Sequence, residues 1–188
     1  MSRFSNAYLL LAHFLDSCKR SNLTIRKEVT SDVADIKALT TAAFLNAPHT
    51  SHTEQFIVDA LRNSGNLTVS LVAEVNGQIV GHVAVSPVSI SDGSQDWYGL
   101  GPISVAPEHQ GIGIGSQLMK QALTTLRELG AGGCVLLGEP KYYNRFGFKS
   151  QPNLVLPDVP PEYFQAISFG ARIPSGVVSF HESFSVQG

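Results

Sequence analysis

Residues 110–116, QGIGIGS, are the stretch best equipped for chemistry: Gly111, Gly113 and Gly115 alternate immediately before an amphipathic run. A loop of this kind exposes backbone N–H groups beside a helix N-terminus, and the partial positive charge there favours an anion. Three phosphate-binding patterns compete for it. A Walker loop ends in Gly-Lys-Ser/Thr, and no such ending is present. A dinucleotide fingerprint needs G-x-G-x-x-G directly after a strand; here Ser116 breaks the spacing and residues 107–110 intervene. The pattern that fits is Q-x-x-G-x-G, carried by Gln110, Gly113 and Gly115 after a strand ending in Val105-Ala106-Pro107. The plain alternative is a glycine turn made for strand–helix packing. His49, His52 and Glu54 form a second pattern, H-x-x-H-x-E. No third well-placed histidine or cysteine follows and the spacing straddles a helix start, so no metal site is expected.

The elements that must position the loop are legible around it. Residues 97–106 read as the strand leading in and residues 112–129 as the helix leading out. In that helix Gly115, Leu118, Met119, Ala122, Leu123 and Leu126 form one apolar stripe, and Gly130 is a suitable terminator. Residues 133–138, GCVLLG, form a continuous apolar run, expected as a buried parallel strand that completes a right-handed βαβ unit. Upstream, residues 69–75 and 78–90 flank Asn76-Gly77, a type I′ hairpin signal, so three consecutive strands form an antiparallel meander. Pro87 marks an edge or a bulge. Before the meander come an alternating strand over 23–29, a helix from an N-cap at 30–32 to about Leu45, a break at Asn46-Ala47-Pro48, and a second helix over 52–63. Residues 141–146 are expected as one short helix. Residues 164–169 and 177–186 read as strands beyond a proline-rich segment at 157–161.

Composition bounds the function class. With 43% hydrophobic and 15% charged residues, a chain of 188 residues has the material for one globular core. A net charge of −2 without any Lys/Arg run argues against a nucleic-acid partner. Residues 7–15, AYLLLAHFL, are apolar after Arg3, but too short to span a bilayer. His13 and Asp16 and the lack of an A-x-A-like site argue against a signal peptide, so no membrane partner is expected. Two cysteines without metal spacing or a disulfide framework suit a reducing compartment, hence a cytoplasmic location. The expected organisation is an N-terminal helical extension over 1–22 and a single domain over 23–188.

VAPEHQGIGIGSQLM, residues 105–119, resembles the acyl-CoA binding motif of the GNAT superfamily of N-acetyltransferases. Tyr143-Asn144-Arg145-Phe146-Gly147-Phe148 resembles the family's second signature, Y-x-x-x-G-F. GLGPISVAPEHQGIGIG and LLGEPKYYNRFGF are similar to the YhbS-like predicted acetyltransferases within it, and the likeness runs from about Leu23 to Phe184. The resemblance implies a mixed α/β (α+β) fold: a mostly antiparallel central sheet, helices on both faces, and a splayed strand pair around the coenzyme. It implies acetyl-CoA as co-substrate, no metal, and transfer of the acetyl group by direct attack of a primary amine of a small molecule or peptide. A homodimer is a further implication of the family. The alternative is a non-catalytic CoA-sensing or partner-binding module on the same fold; another acyl-CoA donor also fits.

The site residues follow from the same resemblance. The backbone of Ile103 and Val105 would face pantetheine, with the Val105 N–H directed at the oxyanion. Gln110, Gly111, Ile112, Gly113, Ile114, Gly115 and Ser116 would hold the pyrophosphate. Asn144 and Arg145 would reach the coenzyme, Arg145 at its 3′-phosphate; a solvated surface role for Arg145 is the alternative. Tyr143 would be the general acid toward sulfur, with Tyr142 its competitor. The general base is open between Glu54, Glu74, Glu139, His82 and a water path. Glu139 is the one expected near the reaction centre, as base or acceptor contact. Glu54 reads otherwise as a carboxylate favoured at a helix start, Glu74 as a solvated strand end, and His82 as a satisfied strand histidine.

Overall fold

The computed structural model describes residues 23–47, 50, 52–170 and 172–186. The helix expected within residues 1–22 lies outside them. The described chain runs β1 (Leu23–Lys27), α1 (Val33–Phe44), α2 (Glu54–Asn63), β2 (Val69–Val75), β3 (Gln78–Ile90), β4 (Trp97–Val105), α3 (Ile114–Glu128), β5 (Gly133–Leu137), α4 (Pro140–Tyr143), β6 (Leu154–Val155), β7 (Phe164–Ser168) and β8 (Gly176–Phe180). The main sheet has the order β1-β2-β3-β4-β5-β7, and β8 joins the far end of β3 and pairs with β6. Along the main path every pairing is antiparallel except β4 with β5.

Alternation decides which helix covers which face. Leu71, Ala73, Val83 and Val85 point to one side, where Leu118, Met119, Ala122 and Leu126 of α3 are buried against them. Val72 and Ala84 point to the other, where Ile36 of α1 and Val58 of α2 pack. Each such fully buried aliphatic side chain contributes roughly 1.5–3 kcal/mol of transfer free energy. Gly81 in β3 sets how closely α3 approaches: a Cβ there would lie 2.9 Å from Leu118 Cδ1 and 3.0 Å from Ile114 Cγ2.

The meander matches its expected bounds at Val69–Val75 and Gln78–Ile90. Asn76 and Gly77 both take positive φ, 51° and 80°, as a type I′ turn requires. Pro87 sits where β3 changes partner: pairing with β2 ends at Val85, and pairing with β8 begins at Val88. Three expectations are corrected. The segment 141–146 is not one helix; α4 ends at Tyr143 and a 3₁₀ turn covers Asn144–Phe146. The last strand stops at Phe180, because the His181 side chain caps a 3₁₀ turn over Glu182–Ser185. The central helix begins at Ile114 rather than Ile112, because Gly113 is its N-cap with φ 96°.

The feature that matters most for function lies between β4 and β5. They pair at Trp97–Gly133, Tyr98–Cys134 and Gly99–Val135, and the ladder then ends. β5 stays paired with β7 to Leu137, while β4 stays paired with β3 to Val105. The cause is visible in the register. Val83 pairs with Ile103 and Val85 with Leu100, so Gly101 and Pro102 together oppose Ala84 alone. An extra residue bends the bulged strand, and Pro102 has no N–H with which to continue a ladder toward β5.

Candidate active site

The gap between β4 and β5 opens into a cleft of about 720 Å³. Its sheet side is Ile103 and Val105. Ala106 N donates to Val80 O at 2.9 Å, and Gly81 faces Val105 one step earlier in the register. Antiparallel pairs alternate between bonded and non-bonded. The main-chain groups of Val105 and Ile103 therefore point away from β3 and into the gap. Val105 O is already engaged, accepting from Gln110 Nε2 at 3.0 Å.

The far end of the cleft is the start of α3. The first intrahelical bond there is Gln117 N to Gly113 O, 3.1 Å. The N–H groups of Ile114, Gly115 and Ser116 precede it and project from the helix end. Gly115 keeps this end close-fitting: a Cβ there would stand 3.1 Å from the Tyr142 hydroxyl and 3.5 Å from Val105 Cγ2. Arg145 lies flat over the Tyr142 ring, 3.9 Å from its centroid, and donates to Ser116 Oγ at 3.1 Å. A guanidinium is thereby stationed beside the helix N-terminus.

Tyr143 stands at the other end. Its ring rests on the backbone of Gly138, where a Cβ would come within 2.1 Å of Cε2. It meets Tyr142 edge-on at 4.8 Å and Phe148 at 6.3 Å. Burial pushes its phenol up to about 12, the Tyr142 phenol adding to the rise and Arg145 opposing it. Tyr143 is therefore protonated throughout the neutral range, a donor and not a base.

Tyr143 and Ile103 also line a second cavity of about 320 Å³ on the opposite side of the opening. Its other walls are Phe44 at the end of α1, Glu54 and Ile57 of α2, the Gly101-Pro102 bulge with Leu100, Leu137 at the end of β5, and Phe180 and Phe184. The two cavities share the residues between which a reacting centre would sit.

Most of the sequence-predicted residues meet in the first cleft: Ile103, Val105, Gln110, Gly111, Gly113, Ile114, Gly115, Ser116, Glu139, Tyr143 and Arg145. Ile112 projects from the loop, 67% exposed, and Asn144 is exposed on the 3₁₀ turn; neither lines the cleft. Gln110 contributes as a clamp on Val105 O. Glu139 is exposed and caps α4, accepting from Lys141 N at 3.5 Å, on the first cleft rather than the second. Of the remaining base candidates, Glu74 is held by Arg26 at 2.9 Å. His82 is fully buried, 2.8 Å from Ser70 Oγ, and burial lowers its pKa to about 4. Glu54 alone of the candidates reaches the second cavity. The cleft also includes His109, Gly138 and Tyr142, which sequence reasoning did not assign to it. Among the described residues, no group of three or more His, Cys, Asp or Glu side chains could hold a metal ion. No described helix is long and apolar enough to cross a membrane.

An unzipped parallel strand pair ending on a glycine-started helix is an arrangement with known relatives. The acetyltransferase (GNAT) domain family matches residues 24–150. The chain belongs to the GNAT acetyltransferase family. It is 38% identical over 128 residues to the N-acetyltransferase YhbS of Escherichia coli K12, covering 68% of this chain and 74% of that one. Among solved structures, a GNAT family acetyltransferase from Brucella melitensis in complex with acetyl-CoA is similar at 47% identity and TM-score 0.79. That match covers 88% of this chain and 99% of the other. The crystal structure of Escherichia coli YhbS in complex with CoA is similar at 33% identity and TM-score 0.80, with 88% and 93% covered. The family match spans β1 to the turn after α4 and so includes every described wall of the first cleft. It stops before Phe180 and Phe184, which close the second cavity.

Proposed function

We propose that this acetyltransferase moves an acetyl group from acetyl-CoA to a primary amine of a small molecule or peptide by direct attack on the thioester. The observation that carries this reading is the pairing of two cavities across Ile103 and Tyr143, one fitted to the coenzyme and one open to the acceptor. The Brucella and Escherichia relatives, crystallised with acetyl-CoA and CoA, support the coenzyme assignment.

In this reading the N–H groups of Ile114, Gly115 and Ser116 bind the pyrophosphate through the helix dipole. Arg145, already stationed at Ser116, adds a mobile positive charge for a phosphate. The pantetheine arm lies along Ile103 and Val105 and takes the place of the missing strand. The Val105 N–H faces the developing oxyanion, and Gln110 keeps the neighbouring Val105 carbonyl occupied so that the strand end does not pivot. Tyr143 gives its proton to sulfur as the C–S bond breaks. The lack of a disulfide framework in the sequence supports a cytoplasmic setting.

Calorimetric titration with acetyl-CoA, followed by thiol release over a broad panel of amines, tests the proposal. Saturable binding and amine-dependent release of CoA are expected. Absence of binding removes the coenzyme assignment; binding with no turnover on any amine favours a CoA-sensing module.

A further inference from the structure

The second cavity has a chemistry of its own. Ile57, Leu100, Phe180 and Phe184 give it apolar walls, and the Phe180 and Phe184 rings pack with centroids 4.9 Å apart. The 3₁₀ turn that carries Phe184 packs against α2, which closes this side. Glu54 is the single charged residue on the lining among the described residues. Its Oε1 accepts from the Thr50 hydroxyl at 2.5 Å, which orients the carboxylate. Among the described residues, no Lys, Arg or His lines the cavity to receive an acceptor carboxylate, and no second Asp or Glu to receive a second ammonium.

Building on the acetyl-transfer reading, we infer that the acceptor is a compact monoamine with an apolar, aromatic or branched-aliphatic body, its ammonium held by Glu54. An ammonium against one carboxylate is a charge-assisted pair, and the phenylalanine faces add to the attraction for a cation. A second charge on the acceptor would lie against phenyl rings and aliphatic walls with no partner among the described lining residues, which is costly. The proton balance is complete. Glu54 takes one proton from the ammonium and passes it to solvent. The free amine attacks the thioester carbon, the C–N bond forms and the C–S bond breaks. Tyr143 gives its proton to sulfur and is restored by the second proton lost from nitrogen, leaving an amide and CoA thiol.

The test is thiol release by the full chain at saturating acetyl-CoA with phenethylamine, isoamylamine, spermidine, glycine and a lysine-containing tripeptide. Phenethylamine and isoamylamine are expected to exceed the other three in kcat/KM by about 100-fold, from the cost of the unpaired charge. Glu54→Gln is expected to lower kcat/KM for isoamylamine about 100-fold, with acetyl-CoA affinity unchanged. Phe184→Ala is expected to raise KM for isoamylamine more than it lowers kcat. Preference for spermidine, glycine or the tripeptide overturns the inference, as does a Glu54→Gln enzyme with unaltered kcat/KM. Should Glu54→Gln fail to bind acetyl-CoA through misfolding, the amine panel on the native chain decides alone. Acetyl-CoA binding without turnover of either apolar amine overturns the acceptor class only; loss of acetyl-CoA binding by the native chain overturns the underlying reading.

Discussion

The two cavities that meet at Tyr143 are built by opposite means. The cleft proposed for the coenzyme offers mainly backbone at its phosphate end: N–H groups at the start of α3, the open side of β4, and glycines that keep both approachable. The cavity proposed for the acceptor is made largely of side chains, brought together from α1, α2, β4, β5 and the C-terminal turn. The first is broken by adding atoms, the second by removing them.

The sharpest way to break this contrast is Gly115→Leu. A Cβ already crowds the Tyr142 hydroxyl at 3.1 Å, and three further carbons enter the cleft. A loss of acetyl-CoA affinity of about 1000-fold is expected, in line with the cost of overpacking a fitted site together with a blocked anion cradle. Calorimetry reads it, and retained affinity would show that the coenzyme binds elsewhere. Next is Tyr143→Phe, which removes one oxygen at the boundary between the cavities. Turnover should fall about 100-fold with coenzyme affinity nearly unchanged. Because burial holds the Tyr143 phenol at about 12, its deprotonation should leave no alkaline limb in the native profile below pH 11 or so.

His82 gives a control that touches neither cavity. Folded His82 takes a proton only near pH 4, whereas the unfolded chain does so near 6.5. Between those values the unfolded state holds more protons, so stability is full above pH 6.5 and declines as pH falls toward 4. The decline amounts to about 3 kcal/mol. His82→Gln should flatten that segment of the denaturation-versus-pH curve while leaving acetyl-CoA binding at pH 7.5 or so intact. The smallest effect is Arg145→Ala. An exposed guanidinium facing a phosphate is screened by salt, so a loss of about threefold in coenzyme affinity is expected, vanishing at high ionic strength.

How much could be read beforehand follows from the same contrast. The glycine loop was legible because the absence of a side chain is itself written in the sequence, at Gly111, Gly113 and Gly115. The meander was legible because alternation and Asn76-Gly77 are local signals. The acceptor cavity was not, since Phe44, Glu54, Leu100, Phe180 and Phe184 have no common spacing and meet only through tertiary packing. Glu54 read as an ordinary helix-start carboxylate, and at the first position of α2 it also has that environment. What distinguishes it is the cavity behind it. The last strand was overextended because Ser183 to Val186 keep a strand-like composition. The stop comes from His181, whose Nδ1 accepts from Ser183 N at 3.2 Å. Ile112, an apolar residue between glycines, is turned outward by the chain, which its residue type does not announce.

The opening between β4 and β5 has a consequence for what can add to the strand edge it leaves. Unpaired strand edges are templates on which another polypeptide can add as a strand, an early step in aggregation. Here the unpaired edge at Ile103 and Val105 is recessed inside the sheet, in a wedge that narrows to the Gly99–Val135 pair within a few residues. A polypeptide strand brings side chains above and below its plane and needs about 4.8 Å to each neighbour. With α3 over one face and the wedge closing at its tip, a second chain has no room to lie down. A thin, unbranched molecule does, so the edge is open to a small extended ligand and shut to another protein.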